Sequence, residues 1–175
     1  MAMSLMVTAN AATKSSWFPN EEINPNLVEA VDVLAGLKVF QGQNVTGAAG
    51  GDKVFAPKSE ITRKEVAALI YRVFSADVGD TKTHLYKDYA DFTDVNEDSW
   101  YAGYVGLCAN HGIIKGSNNG RFYPDYNITG YEVLAMILRV VGYDEEGEFT
   151  GSGWQTRVAS KAALLHITDN LNTTN

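Results

Sequence analysis

The sequence predicts a mainly α-helical protein of tandem helix-loop-helix repeats packed around a shared core, with little or no β-structure in the connecting loops. Three observations carry this expectation. Residues 55–74 align with residues 122–141 at an offset of 67, and ten of the twenty positions are identical. Apolar residues in each copy recur at helical rather than strand spacing. Residues with capping side chains stand at matching places ahead of those stretches. Two amphipathic helices cannot cover their own apolar stripes, so such copies must pack on one another.

Ahead of the duplicated block the offset becomes 74, placing Phe18 on Phe92, Val31 on Val105, Ala35 on Ala109 and Gly42 on Gly116. The seven-residue difference falls in Asn44 to Gly51, a Gly/Ala-rich loop insertion. A third copy starts at an offset of 54, with Trp154 on Trp100, Ala163 on Ala109 and Ile167 on Ile113. The expected repeats are therefore 17–91, 92–151 and a partial third over 152–175. Residues 1–16 are set aside as the remnant of a signal peptide or a disordered N-terminus. Ala9-Asn10-Ala11 has the small-x-small form of a cleavage site after a short apolar run.

The first helix of each repeat is expected to start at Asn24, Asp98 or Ser152, whose side chains accept from free N–H groups. Pro25 follows at the first helical position, where its missing donor costs nothing. The apolar faces are then Leu27, Val31, Leu34 and Ala35, and Tyr101, Val105, Cys108 and Ala109; Gly112 is the stop. The second helices open on capping boxes, Thr62-Arg63-Lys64-Glu65 and Thr129-Gly130-Tyr131-Glu132. They continue through Val66, Leu69, Ile70 and Val73, and through Val133, Met136, Ile137 and Val140. The polar stretch from Ser75 to Asp91 reads as a surface connection.

Composition narrows the function. Fourteen basic against twenty-one acidic residues give a net charge of −7 and a pI near 4.9. Without basic runs, nucleic acid is a poor partner. No apolar stretch approaches the ~20 residues needed to span a bilayer. One cysteine and three scattered histidines leave little for a metal site, so neither metal nor cofactor is expected. Cys108 has no disulfide partner in the chain. At this length roughly 70% of the unfolded surface is buried on folding, so none is needed.

Several constellations imitate active sites. Asp94-Val95-Asn96-Glu97-Asp98 opens like a calcium loop, but Ser99 stands at its sixth position and Val105 at its twelfth. A helix cap with solvated acids explains it better. Cys108 and His111 lie three apart on one helix without an evident third member, so a core thiol is the better reading. Glu65 and Glu132 are equivalent caps of separate copies rather than a glycosidase pair. No catalytic residue is expected.

Arg63 stands out. A cation at the first position of a helix opposes the macrodipole, at a cost of roughly 0.3–1 kcal/mol. Free N–H groups beside a guanidinium fork would suit a carboxylate or phosphate. The alternative is a surface pair with Glu60 or Asp52. Trp17, Trp100, Tyr101, Tyr104 and Trp154 are mostly packing residues by position, and Trp100 is the one expected to be shared with a groove.

The order Phe92-Thr93-Asp94-Val95, Trp100, Gly112-Ile113-Ile114-Lys115-Gly116, Arg121-Phe122-Tyr123-Pro124, Ile128-Thr129 and Glu132 resembles the S-layer homology family of bacterial cell-surface anchoring modules. The resemblance implies three repeats about a pseudo-threefold axis, with cell-wall polysaccharide, often pyruvylated, bound in grooves between them. Ile61-Thr62-Arg63-Lys64-Glu65 matches the family motif whose arginine faces the ligand; Gly130 replaces that arginine in the second copy. The implied ligand-binding residues are Arg63, Lys64, Thr62, Gly42, Trp100, Lys115 and Gly116, with Glu65, Thr129 and Glu132 as structural caps. The expected partner is wall polysaccharide or a peptidoglycan-linked glycan, with export to the cell envelope or S-layer. The alternative is a protein–protein assembly module, through self-association or as part of a longer parent chain.

Overall fold

The computed structural model describes residues 14–44 and 53–169. The signal-like stretch 1–13, the loop insertion from residue 45 and the last residues from 170 lie outside the described residues. The described chain is mainly helical, and its only ladder pairs β1 (Gln43–Asn44) with β2 (Lys53–Val54), antiparallel. It divides into two compact units, meeting in sequence at Ser59 and Glu60.

In the first unit, the Asn24 side chain accepts from the Asn26 N–H at 3.0 Å and Pro25 takes the first helical position. The opening turn, Pro25–Leu27, is a 3-10 helix that runs into α1 (Val28–Gly36). Phe18, Ile23, Val28, Val31 and Ala35 form the core, flanked by Leu27 and Phe55. The fold begins earlier than the sequence suggests. Ser15 is buried, its hydroxyl accepts from the Trp17 and Phe18 N–H groups, and it donates to Asp32. Asp32 also accepts from the Ser16 N–H, so residues 15 and 16 belong to this unit.

In the second unit, α2 (Arg63–Ser75) and α4 (Gly130–Val140) both open on complete capping boxes. A Thr62–Asn127 bridge and an Ile128 N–H to Ile61 carbonyl bond of 3.0 Å tie their approaches together. Between them in sequence lies α3 (Ala102–Asn110), buried from Ala102 through Cys108. It is wrapped on more than one side, which is why its amphipathic pattern is weak. The buried face of α2 is Val66, Ala67, Ala68, Ile70 and Tyr71, whereas Val73 is exposed. The α2–α3 packing turns the small residues inward, and the Cys108 thiol lies 3.8 Å from the Ala67 carbonyl. On α4 the buried positions are Ala135, Met136 and Leu138. Leu138 joins Phe149, which precedes α5 (Trp154–Leu164), and Val158 on that helix in a second cluster.

Two helix starts differ from expectation. Helix α3 begins at Ala102, after a turn in which the Asn96 side chain accepts from the Asp98 N–H at 2.8 Å. Asp98 is therefore no cap. Helix α5 begins after Gly153, and Ser152 contributes only its carbonyl, to Arg157 at 2.9 Å.

The stretch from Ser75 to Asp91 is not a loose connection. Asp77 is buried and accepts from the Tyr71 hydroxyl (2.7 Å), the Thr81 hydroxyl (2.8 Å) and the Lys82 N–H (2.7 Å). Arg72 and Asp80 form a two-point ion pair at 2.9 and 2.7 Å. Beyond them a 3-10 helix, Thr83–Tyr89, lies directly on α3. A β-carbon on Gly103 would stand 2.0 Å from the Thr83 carbonyl oxygen, and one on Gly106 would stand 1.8 Å from that of Tyr86. Backbone meets backbone there, so only glycine fits.

Candidate functional site

One groove of about 390 Å³ runs along the second unit. Its floor is one face of α4, where Glu132, Ala135, Met136 and Arg139 line up at helical spacing. One wall is the segment from Ile113 to Gly116 after α3, and another runs from Phe149 to Trp154 at the start of α5. Arg63 reaches in from the first position of α2.

The α2 N-terminus is not an open anion site. The Arg63 N–H donates to the Tyr126 carbonyl at 2.9 Å and the Lys64 N–H to the Pro124 carbonyl at 3.1 Å. Glu65 returns to the Thr62 N–H at 2.8 Å, completing the cap. Recognition here must use side chains. The Arg63 guanidinium stacks over the Phe122 ring at 5.0 Å, and its Nε donates to the Phe122 carbonyl at 2.7 Å. Its Nη1 donates to Glu132 Oε1, while Glu132 Oε2 accepts from the Thr129 N–H (2.9 Å) and hydroxyl (2.8 Å). A cation at a helix start is thus tolerated because a carboxylate from the next helix and a carbonyl surround it. Its partner is neither Glu60, which accepts from the Asn127 amide, nor Asp52, which lies outside the described residues. Among the described residues nothing takes Nη2.

A second ionic cluster holds the far wall. The Asp144 side chain is fully buried. It accepts from the Phe149 N–H (2.6 Å), Arg139 Nε (2.6 Å) and Lys115 Nζ (3.0 Å). Arg139 also donates to the Ile113 carbonyl at 3.1 Å and the Phe149 carbonyl at 3.4 Å, fastening both walls to α4. Burial pushes the Asp144 carboxyl up, but these donors outweigh it and hold it below the ordinary carboxylate range. At Asp77 the Tyr71 hydroxyl has the largest part in lowering the carboxyl. A group lowered on folding contributes stability above its unfolded pKa of about 4 and loses it as pH falls through the folded value. The melting temperature is therefore expected to fall steadily below about pH 4. Differential scanning fluorimetry from pH 7 to pH 3 checks this, and Asp144→Asn should flatten the lower limb.

The groove gathers some of the residues singled out in the sequence. Arg63, Lys115, Gly116 and Glu132 line it. Gly116 has φ +64, and a β-carbon there would meet Phe92 at 2.4 Å. Thr62 and Glu65 are occupied in their cap, and Thr129 in its own. Lys64 lies elsewhere: it pairs with Asp125, which raises its pKa, and sits 5.6 Å over the Tyr101 ring. Trp100 is 56% exposed and packs edge-on against Tyr101 and Tyr104, outside the groove. Trp154 is the tryptophan that lines it. Gly42 belongs to the first unit, with φ +67 and Lys53 against it. Arg139 and Asp144 were missed, although the offset of 67 sets them on Arg72 and Asp77.

The decoy sites resolve structurally. Asp94 is a clasp, accepting from the Phe122 and Tyr123 N–H groups at 2.8 and 2.9 Å, rather than a solvated acid. Burial pushes the Cys108 thiol up to about 12, and the His111 ring packs on Phe74 at 4.8 Å. No group of metal-binding side chains occurs among the described residues, and none of their helices is long and apolar enough to cross a membrane.

Residues 91–134, which run through the second capping box, match the S-layer homology domain, and the chain carries that domain. The whole chain is 27% identical to part of the middle cell wall protein of Brevibacillus brevis, covering 15% of it. Over 131 residues, 75% of the chain, it is 31% identical to the surface layer protein of Brevibacillus choshinensis, covering 11%. It is also 28% identical over 152 residues, 79% of the chain, to the amylopullulanase of Thermoanaerobacterium thermosulfurigenes, covering 7%. The chain thus spans well under a fifth of each of these relatives. The domain and the surface-protein relatives indicate a location at the cell surface.

Proposed function

We propose that this chain is a non-catalytic module that anchors a protein to a bacterial cell wall by binding anionic wall polysaccharide in the Arg63 groove. The observation that carries the reading is the charge of that groove. Arg63, Lys115 and Arg139 face Glu132 and Asp144, leaving one net positive charge in a chain of −7. An acidic polymer repelled by the rest of the surface is attracted there. Trp154, which also lines the groove, offers an apolar face for a sugar ring. A single carboxylate, such as a pyruvyl group on a sugar, matches the uncommitted Arg63 N–H donors and the partly exposed Lys115 ammonium.

The relatives support anchoring over catalysis. A segment shared by a surface layer protein and an amylopullulanase is a common attachment part more readily than the seat of one enzyme's chemistry. The test is co-sedimentation with purified cell-wall sacculi. Arg63→Ala removes a charge-assisted bond of about 1.5–3 kcal/mol, so binding should weaken at least about tenfold. Sacculi stripped of anionic polysaccharide should retain neither protein. Equal binding by wild type and variant refutes the site. Absence of wild-type binding together with concentration-dependent oligomers would favour an assembly module.

A further inference from the structure

Resting on that reading, we propose that Glu132 sets the anion affinity of the groove, by pairing with the Arg63 guanidinium for which a ligand carboxylate competes. A guanidinium grips a carboxylate best through two parallel N–H bonds. Here Nε is committed to the Phe122 carbonyl and Nη1 to Glu132 Oε1. Three of the five guanidinium N–H groups remain, one on Nη1 and two on Nη2, so an incoming carboxylate shares the cation with a carboxylate already paired to it. Glu132 is well placed to hold Nη1 permanently, because its other oxygen is anchored in the α4 cap by two bonds to Thr129. The residue does two jobs with its two oxygens: one caps a helix, the other restrains the groove.

Glutamine separates the two. At the third helical position it closes a capping box as glutamate does. With its amide oxygen turned to Thr129, it presents an NH2 group to Arg63, which cannot accept. Nη1 is then released, and the groove gains one unit of positive charge. Glu132→Gln should bind a monoanionic sugar about three- to tenfold more tightly, with a steeper dependence on salt, and leave a neutral sugar unaffected. The effect acts through Arg63, so it should vanish in the Arg63→Ala, Glu132→Gln double variant.

The experiment titrates glucuronate and glucose into the full chain by NMR at two salt concentrations. It compares wild type, Glu132→Gln, the double variant and Glu132→Ala, which removes the same charge without the cap. Glu132→Ala should share the gain for glucuronate even if its melting temperature falls. Unchanged or weaker glucuronate binding in Glu132→Gln overturns the proposal, as does a gain that survives loss of Arg63, or no measurable binding by any variant. The wall reading fails separately. Sacculi left unbound by a protein that shows the expected glucuronate pattern would refute the wall partner and leave the role of Glu132 standing.

Discussion

Gly106→Ala is expected to cost at least about 3 kcal/mol of stability, and Gly103→Ala nearly as much. Overpacking a core by one methyl usually costs about 1–3 kcal/mol because neighbouring side chains give way. Here the obstructing atoms are backbone. The new β-carbon of Gly106 would lie 1.8 Å from the Tyr86 carbonyl oxygen and 2.9 Å from its carbon, and that of Gly103 would lie 2.6 Å from the Thr83 carbonyl carbon. Relief requires the whole 3-10 helix to move off α3. That would uncover part of the core lined by Tyr86 and Ala90. For a chain of this size the melting temperature should drop by roughly 6–12 °C. Gly130→Ala is the control. It sits at a helix start with nothing within 4 Å of the added carbon, so it should be neutral or slightly stabilising. Equal melting of all three variants would show that the 3-10 helix is not seated on α3.

Asp144→Ala is expected to cost about 3–5 kcal/mol and to open the groove. Removing one partner of a buried ion pair leaves the other charge desolvated and unpaired. Arg139, with a side chain 12% exposed, cannot turn freely to water, and the buried Phe149 N–H loses its acceptor as well. Asp144→Asn keeps an acceptor for that N–H and should fall between wild type and alanine. Urea unfolding measures the stability loss. Sacculus binding by both variants should weaken, since the walls that hold Lys115 and Trp154 are fastened through this carboxylate. Wild-type stability in Asp144→Ala would mean the cluster contributes nothing to the wall.

The helices were legible because their signals are local. Thr62 and Glu65 are three residues apart, as are Thr129 and Glu132, and each pair completes its cap without outside help. Pro25 behind Asn24 marks a helix start on the same scale. Faces were less legible. Apolar spacing points to Val73, yet Tyr71 is buried and Val73 exposed, because which side of α2 is inside depends on where α3 lies. The glycines Gly103 and Gly106 were visible as letters, but nothing nearby in sequence announces that a 3-10 helix presses on them. The groove was half legible. Arg63 stands out by its awkward helix position, and Lys115 and Gly116 by the resemblance, whereas nothing local marks Arg139 and Asp144, whose partners include residues as distant as Ile113 and Lys115.

By itself, the sequence determined a helical chain with an internal duplication, two capping boxes and one conspicuous arginine. Those features depend on backbone propensity and on side chains within one turn of each other. Only the tertiary structure decided what Arg63 touches. Its partner Glu132 is 69 positions away, and the carbonyl it holds is 59 away. Pairings at that distance follow from how α2, α3 and α4 pack, and packing is settled by the whole buried surface at once. The same reason explains the helix N-terminus, whose N–H groups look free in the sequence but are filled by carbonyls of Pro124 and Tyr126 in the fold.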